Sequence, residues 1–303
     1  MFKPLLFSAA LIAASNLIAC NAQTRGASEL DESVSAAALD NWPNLSRRLD
    51  CLPEEGALVA AHRGVSHGKG LPENTIESLK ALYAGGIRMA EIDVAQLKSG
   101  EHILFHDGVW EDKTTGRGTV ASSRWRDVQS YLLNDTEGKV SSVRLSLLKD
   151  ALEYSKGRLY LEIDFKSSAD YGEVIDMIRV ANMSADVVLI AYNEKQARAM
   201  AKLAPDMFIS VSVKAAADIK ALEKMGVKRT QMLAWVGRSE NRKLMKTLSA
   251  QEIEVLTYEA GTRRPYLEAD VFVTDKALDK KVYDGAMGLR SAQANTYAEC
   301  LRP

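Results

Sequence analysis

The chain is poor in the residues that build special architectures. Among 303 residues it has three Cys, seven Pro and four His, and aromatic residues make up 7%. Three cysteines exclude a disulfide-dense mini-scaffold. Charge of one sign is also lacking: 39 Lys plus Arg against 40 Asp plus Glu give a net charge of −1. That balance excludes the strongly basic surface expected of a nucleic-acid binder, so no nucleic acid is expected as a partner. A hydrophobic fraction of 47% with 26% charged residues excludes disorder. No run reaches the roughly 20 apolar residues of a membrane-spanning helix, and no repeat of 20–50 residues is evident. Scarcity is informative for histidine. His62, His67, His102 and His106 all fall within one window, which points to one place for the chemistry.

The N-terminus reads as an address. Lys3 precedes the short apolar run from Leu5 to Ala14, so residues 1–19 are expected to be a signal peptide. Leu17-Ile18-Ala19-Cys20 resembles the lipobox of bacterial lipoproteins, which implies lipidation of Cys20 and a membrane held by a lipid anchor. An ordinary secretory signal with a chance Cys is the alternative. Asn21, not Asp, follows the Cys; by resemblance to the sorting rule of enteric bacteria, this places the protein in the bacterial cell envelope, on the outer membrane facing the periplasm. Residues 20–50 are then a lipidated tether ending in one short helix. Lipidation of Cys20 leaves Cys51 and Cys300 as an even pair in an oxidising compartment, where a disulfide between them is expected.

From Ala57 onward short β-rich runs alternate with helical spacing. The predicted strands are 58–61, 89–94, 159–163, 187–191, 208–213, 232–236, 254–257 and 271–274. Helical patterns lie at 75–84, 173–181, 194–203, 215–225 and 241–248. Strand alternating with helix implies a parallel sheet covered by helices. Eight such units over 51–303 match an α/β (β/α)8 TIM barrel, with an open doubly wound sheet as the alternative. Residues 101–144, rich in Thr, Gly and Ser, break the alternation and read as an insertion after the second strand, starting with a possible extra strand at 102–105.

Three strand ends carry chemistry: His62-Arg63-Gly64, Glu91-Ile92-Asp93-Val94, and Glu162-Ile163-Asp164-Phe165-Lys166. Alternation puts Glu91 and Asp93 on one face, and Glu162, Asp164 and Lys166 on one face. In a parallel barrel these ends meet at one rim, where converging carboxylates need a cation, and hard oxygens favour Mg²⁺ or Ca²⁺. Rim salt bridges with Arg63 and Lys166 are the plainer reading of any one strand end.

Together with Pro72-Glu73-Asn74-Thr75, His106-Asp107, the stretch from Thr114 to Val120, and Thr274-Asp275, these elements resemble the glycerophosphodiester phosphodiesterase family. The resemblance implies a TIM barrel with an insertion, one divalent cation and two catalytic histidines. It makes His62 and His106 the acid/base pair, Glu91, Asp93 and Asp164 the metal ligands, and Arg63 and Lys166 the phosphate contacts. The commonest pattern has Glu where this chain has Asp164, so Glu162 remains open as the third ligand. Asn74 is expected to orient phosphate or His62. Tyr258 and Trp235, at predicted strand ends, are candidates to line the substrate pocket or to be core. His102 reads as structural and His67 as a solvated loop residue. The implied reaction is hydrolysis of glycerophosphodiesters, small-molecule substrates, to glycerol 3-phosphate and an alcohol. The alternatives are a phospholipase D-type enzyme acting on intact lipid and a catalytically silent phosphodiester-binding lipoprotein.

Overall fold

The computed structural model describes residues 42–52, 56–65, 70–238, 241–258, 269–279 and 300. In chain order its elements are α1 (Leu45–Asp50), β1 (Leu58–Ala61), α2 (Ile76–Ala84), β2 (Met89–Gln96), β3 (His102–Leu104), α3 (Trp125–Val128), β4 (Leu132–Asn134), β5 (Val140–Arg144), α4 (Leu148–Ser155), β6 (Tyr160–Phe165), α5 (Tyr171–Val180), β7 (Val187–Ala191), α6 (Glu194–Leu203), β8 (Phe208–Ser212), α7 (Ala217–Lys224), β9 (Met232–Trp235), α8 (Arg242–Ser249), β10 (Glu254–Tyr258) and β11 (Val271–Thr274).

Eight parallel strands follow the order β1-β11-β10-β9-β8-β7-β6-β2, and β1 pairs back onto β2. That last pairing closes the barrel and excludes the open sheet. Side-chain alternation explains how the closed sheet fills. Val59, Ala61, Ala90, Ile92, Leu161 and Ile163 face outward into the layer beneath the helices. Leu58, Ala60, Met89, Tyr160, Val188, Leu233 and Leu256 face inward at the lower end. Helix starts are marked locally: Thr75, Asp170, Asn193 and Asn241 each accept a backbone N–H with the side chain. Helix α4 has no such marker, since its N-cap is Leu147, and the periodicity did not single it out.

The one short helix expected at the end of the tether is α1, and it packs on the lower end of the barrel. Leu45 and Leu49 of α1 are buried against the lower interior residues. Tyr160 donates to the Pro43 carbonyl at 2.6 Å, and its ring lies 4.8 Å from that of Trp42. An apolar barrel mouth must be covered, and α1 covers it. The Cys51–Cys300 disulfide is formed, spanning 249 residues. Cys20, the signal peptide and His67 lie outside the described residues.

The insertion is a compact annex. Strand β3 pairs antiparallel with β2, and β4 pairs with β5. Phe105, Trp110, Val120, Val128 and Leu133 form its own small core. Here the Thr114–Val120 motif has a packing role: a Cβ on Gly116 would sit 2.0 Å from the Tyr131 ring, so no larger residue fits. Gly118 takes φ +97°, which favours glycine. The annex leads from β2 to His106 at the barrel rim. No helix among the described residues is long and apolar enough to cross a membrane.

Candidate active site

At the upper rim a cavity of about 320 Å³ is lined by His62, Glu91, Asp93, His106, Asp164 and Lys166, among others. The acids converge because β2 and β6 pair in register, Glu91 beside Glu162 and Asp93 beside Asp164. Ligand oxygens of Glu91, Asp93 and Asp164 lie within 4.8 Å of one another, and all three residues are buried. Burial, then the charges of Asp93, Glu162 and Asp164, push Glu91 well above the usual carboxyl range, and the Arg63 backbone N–H offsets only part of this. Such a group needs either a proton or a cation. The Oδ1 atom of Asp164 is buried with no hydrogen-bond partner, which leaves it free to ligate. This donor set of hard oxygens fits a divalent cation.

Glu162 sits one layer deeper. Burial and, more weakly, Asp164 raise it to about 8, against a hydrogen bond with Ser210. It lies outside the three-carboxylate cluster, so the geometry favours Asp164 over Glu162 as third ligand. Lys166 bridges the same acids, with Nζ 2.5 Å from Asp93 and 2.7 Å from Asp164. Burial opposes its charge, but Asp93 and Asp164 outweigh this and hold the ammonium above its ordinary pKa.

The two histidines differ in origin but share a device. His62 follows β1 in a tight 3-10 turn, and its Nδ1 lies 2.8 Å from Asp275, just past β11. Nε2 is then the atom turned toward the carboxylates, 4.0 Å from Glu91. His106 Nδ1 lies 2.7 Å from Asp107. In each case a carboxylate at Nδ1 fixes the ring and leaves Nε2 for proton transfer. His102 lies elsewhere, buried beside Glu173 at 3.7 Å, and desolvation lowers its pKa, consistent with a structural role.

Two residues expected to bind substrate, Asn74 and Arg63, have protein partners at the rim. Asn74 is buried, and both ends of its amide are spent on Asp93: Nδ2 donates to Oδ2 at 2.7 Å, and Oδ1 accepts the Asp93 N–H at 2.9 Å. These two bonds hold the Asp93 carboxylate in place. Arg63 does not line the cavity; its guanidinium donates to Glu73 at 3.0 Å and its backbone N–H donates to Glu91 at 2.7 Å. Arg63 and Asn74 both hold left-handed backbones, φ 54° and 56°, which is strain of the kind kept at functional sites. Tyr258 does line the cavity, with Trp235; its hydroxyl donates to Asp275, and its ring meets His62 edge-on at 5.4 Å.

Sequence reasoning assigned no role to Asp107, Tyr192, Arg238 or Asp275. Tyr192, after β7, donates to Asp164 Oδ2 at 2.7 Å. Burial and then Asp164 raise its hydroxyl pKa, so it stays a donor. Arg238, after β9, stacks 4.4 Å over the Tyr258 ring. Asp107 and Asp275 were visible as motif positions; Tyr192 and Arg238 carried no signal, because only barrel closure brings them to the rim.

Comparison with known proteins points to one family. Residues 62–258 match the Glycerophosphoryl diester phosphodiesterase family model. A glycerophosphodiester phosphodiesterase of Caldanaerobacter subterraneus subsp. tengcongensis is 28% identical over 161 residues, 51% of this chain and 65% of that protein. An uncharacterized protein, YqiK, of Bacillus subtilis is 28% identical over 156 residues, 48% of this chain and 63% of that protein. The matches thus span under two thirds of either relative. Among solved structures, a glycerophosphoryl diester phosphodiesterase from Parabacteroides distasonis superposes with TM-score 0.69 at 20% identity, covering 86% of this chain and 93% of that one. An Oleispira antarctica phosphodiesterase, solved in complex with the product sn-glycerol-3-phosphate, gives 0.59 at 20% identity, covering 77% and 97%. The structural likenesses speak for the barrel, and the family match runs from the first catalytic-candidate histidine to the last residue of β10. By that match the chain belongs to the glycerophosphoryl diester phosphodiesterase family.

Proposed function

We propose that the protein hydrolyses glycerophosphodiesters to glycerol 3-phosphate and an alcohol, with a divalent cation, Mg²⁺ or Ca²⁺, held by Glu91, Asp93 and Asp164. The observation that carries this reading is the meeting of two carboxylate-oriented histidines and a buried three-carboxylate cluster in one cavity. The cation supplies charge stabilisation to the phosphoryl oxygens. Lys166 adds a second positive charge beside the same acids. Between them, His62 and His106 take a proton from the attacking hydroxyl or water and give one to the departing alkoxide. Asp275 and Asp107 keep each Nε2 available for that exchange.

The test is a product assay on glycerophosphodiesters and intact phospholipids, with and without chelator. Glycerol 3-phosphate from the former, lost on chelation, supports the reading; turnover of intact lipid alone would favour the phospholipase D-type alternative. Export and anchoring complete the proposal. Cys20 is lipidated and holds the enzyme on the bacterial outer membrane, facing the periplasm; the lipobox-like run ending at Cys20 supports it. Mass spectrometry of the mature N-terminus should find a lipid-modified Cys20, and an unmodified N-terminus elsewhere would contradict it.

A further inference from the structure

The cavity has two unlike ends. Every described acid that lines it sits on β2 or β6, together with Lys166. The opposite wall, from the ends of β7 to β11, carries hydroxyls and aromatic rings, and its single lining charge among the described residues is Arg238. Asp275 is not among the lining residues and is engaged by His62 and Tyr258. No carboxylate among the described residues stands within ion-pair distance of Arg238. Its guanidinium is stacked on Tyr258, which in turn packs edge-on against His62. The guanidinium is therefore held in place, close to the reacting end, and no described residue accepts a hydrogen bond from it.

We infer that Arg238 is a specificity-determining residue that receives the alcohol portion of the substrate and selects alcohols bearing a carboxylate or several hydroxyls over those bearing a quaternary ammonium. The inference rests on the proposed phosphodiesterase reading and names its preferred substrate class. Two physical arguments carry it. A trimethylammonium group binds best over an open aromatic face, and here the Tyr258 face is already covered by a guanidinium of the same charge. A carboxylate or vicinal hydroxyls, in contrast, meet a planar fork of N–H donors that needs acceptors. Ser212 and the Trp235 ring line the same wall and offer a hydroxyl and an apolar side to a small polar alcohol.

The experiment compares glycerophosphoserine, glycerophosphoglycerol and glycerophosphocholine on the wild type and on Arg238→Gln and Arg238→Glu. Initial rates give kcat/KM. Calorimetric binding is read separately on the His106→Ala protein, in which the diester survives, or on the wild type should it turn over none of them. The wild type is expected to favour the serine and glycerol esters by about tenfold or more, in KM and in affinity. Arg238→Gln should bring the ratio near one, and Arg238→Glu should favour the choline ester. Equal or better binding of the choline ester by the wild type would overturn the inference. So would a uniform loss across all three esters in both variants, since that marks Arg238 as a general phosphate contact. Absence of turnover with a preserved binding preference would instead overturn the hydrolase reading and leave the preference standing.

Discussion

At the residue scale, what a side chain does here is set by its partners more than by its type. Both histidines are aimed through Nδ1 by a carboxylate, so the ring and its orienter form one unit. His62→Ala and His106→Ala should each lower kcat by about 10² to 10⁴-fold while leaving the thermal midpoint close to that of the wild type. Asp275→Asn should cost less, about tenfold or more in kcat, because the His62 ring loses the carboxylate that orients it. An unchanged kcat would place Asp275 outside the chemistry. Asn74 behaves differently from the histidines. Replacing it with Ala strands the buried Asp93 carboxylate and its N–H, and should destabilise the fold by about 2–4 kcal/mol. Denaturant unfolding measures that, and cation titration should show weaker binding as Asp93 loses its clamp. Normal stability and normal cation affinity together would contradict the positioning role.

At the scale of elements, strands were more legible than what joins them. All eight barrel strands lie where the short β-rich runs place them, because parallel barrel strands are buried on both faces and read as plain apolar stretches until the polar rim. Acid and base positions at β1, β2 and β6 stood out for the same reason: a charge that closes an apolar strand is conspicuous. The protein partners of Arg63 and Asn74 were not legible. Both sit in loops whose partners are set by tertiary closure, and a sequence shows only that they are polar. Tyr192 and Arg238 were hidden likewise, since an aromatic or an Arg after a strand is ordinary. One pairing at the lower end of β10 and β11 makes a prediction at this scale. Burial first, and then Asp270, raise Glu254 to about 8. An acid raised on folding contributes stability that is fully present below its unfolded value near 4.5 and is lost as pH rises through about 8. The wild-type melting temperature should therefore fall between about pH 5 and pH 8.5, and fall less in Glu254→Gln. Parallel curves for the two proteins would show that the pair does not govern this slope.

At the scale of the whole molecule, the two ends of the barrel do separate work. Chemistry gathers at the upper rim, whereas α1 and the Cys51–Cys300 bond secure the lower end. Closing a loop of 249 residues restricts the unfolded chain by about 5 kcal/mol in the chain-entropy model. Reduction should lower the melting temperature by roughly 10–20 °C and leave turnover at low temperature intact, because neither sulfur is near the rim. Equal melting of oxidised and reduced protein would show that the bond contributes nothing. Segregation of this kind lets the rim keep strained backbones and crowded buried acids while the opposite end holds the fold together.

On the proposed reading, three buried carboxylates hold a cation without which the histidines cannot act. The direct test is release of glycerol 3-phosphate from a glycerophosphodiester after exhaustive chelation and again after Mg²⁺ or Ca²⁺ is restored, in the wild type and in Glu91→Gln. Loss on chelation and recovery on restoration are expected in the wild type, and a rate lower by at least about 10²-fold in Glu91→Gln at any cation concentration. Full turnover in the presence of chelator, or a Glu91→Gln protein as fast as the wild type, would contradict that reading.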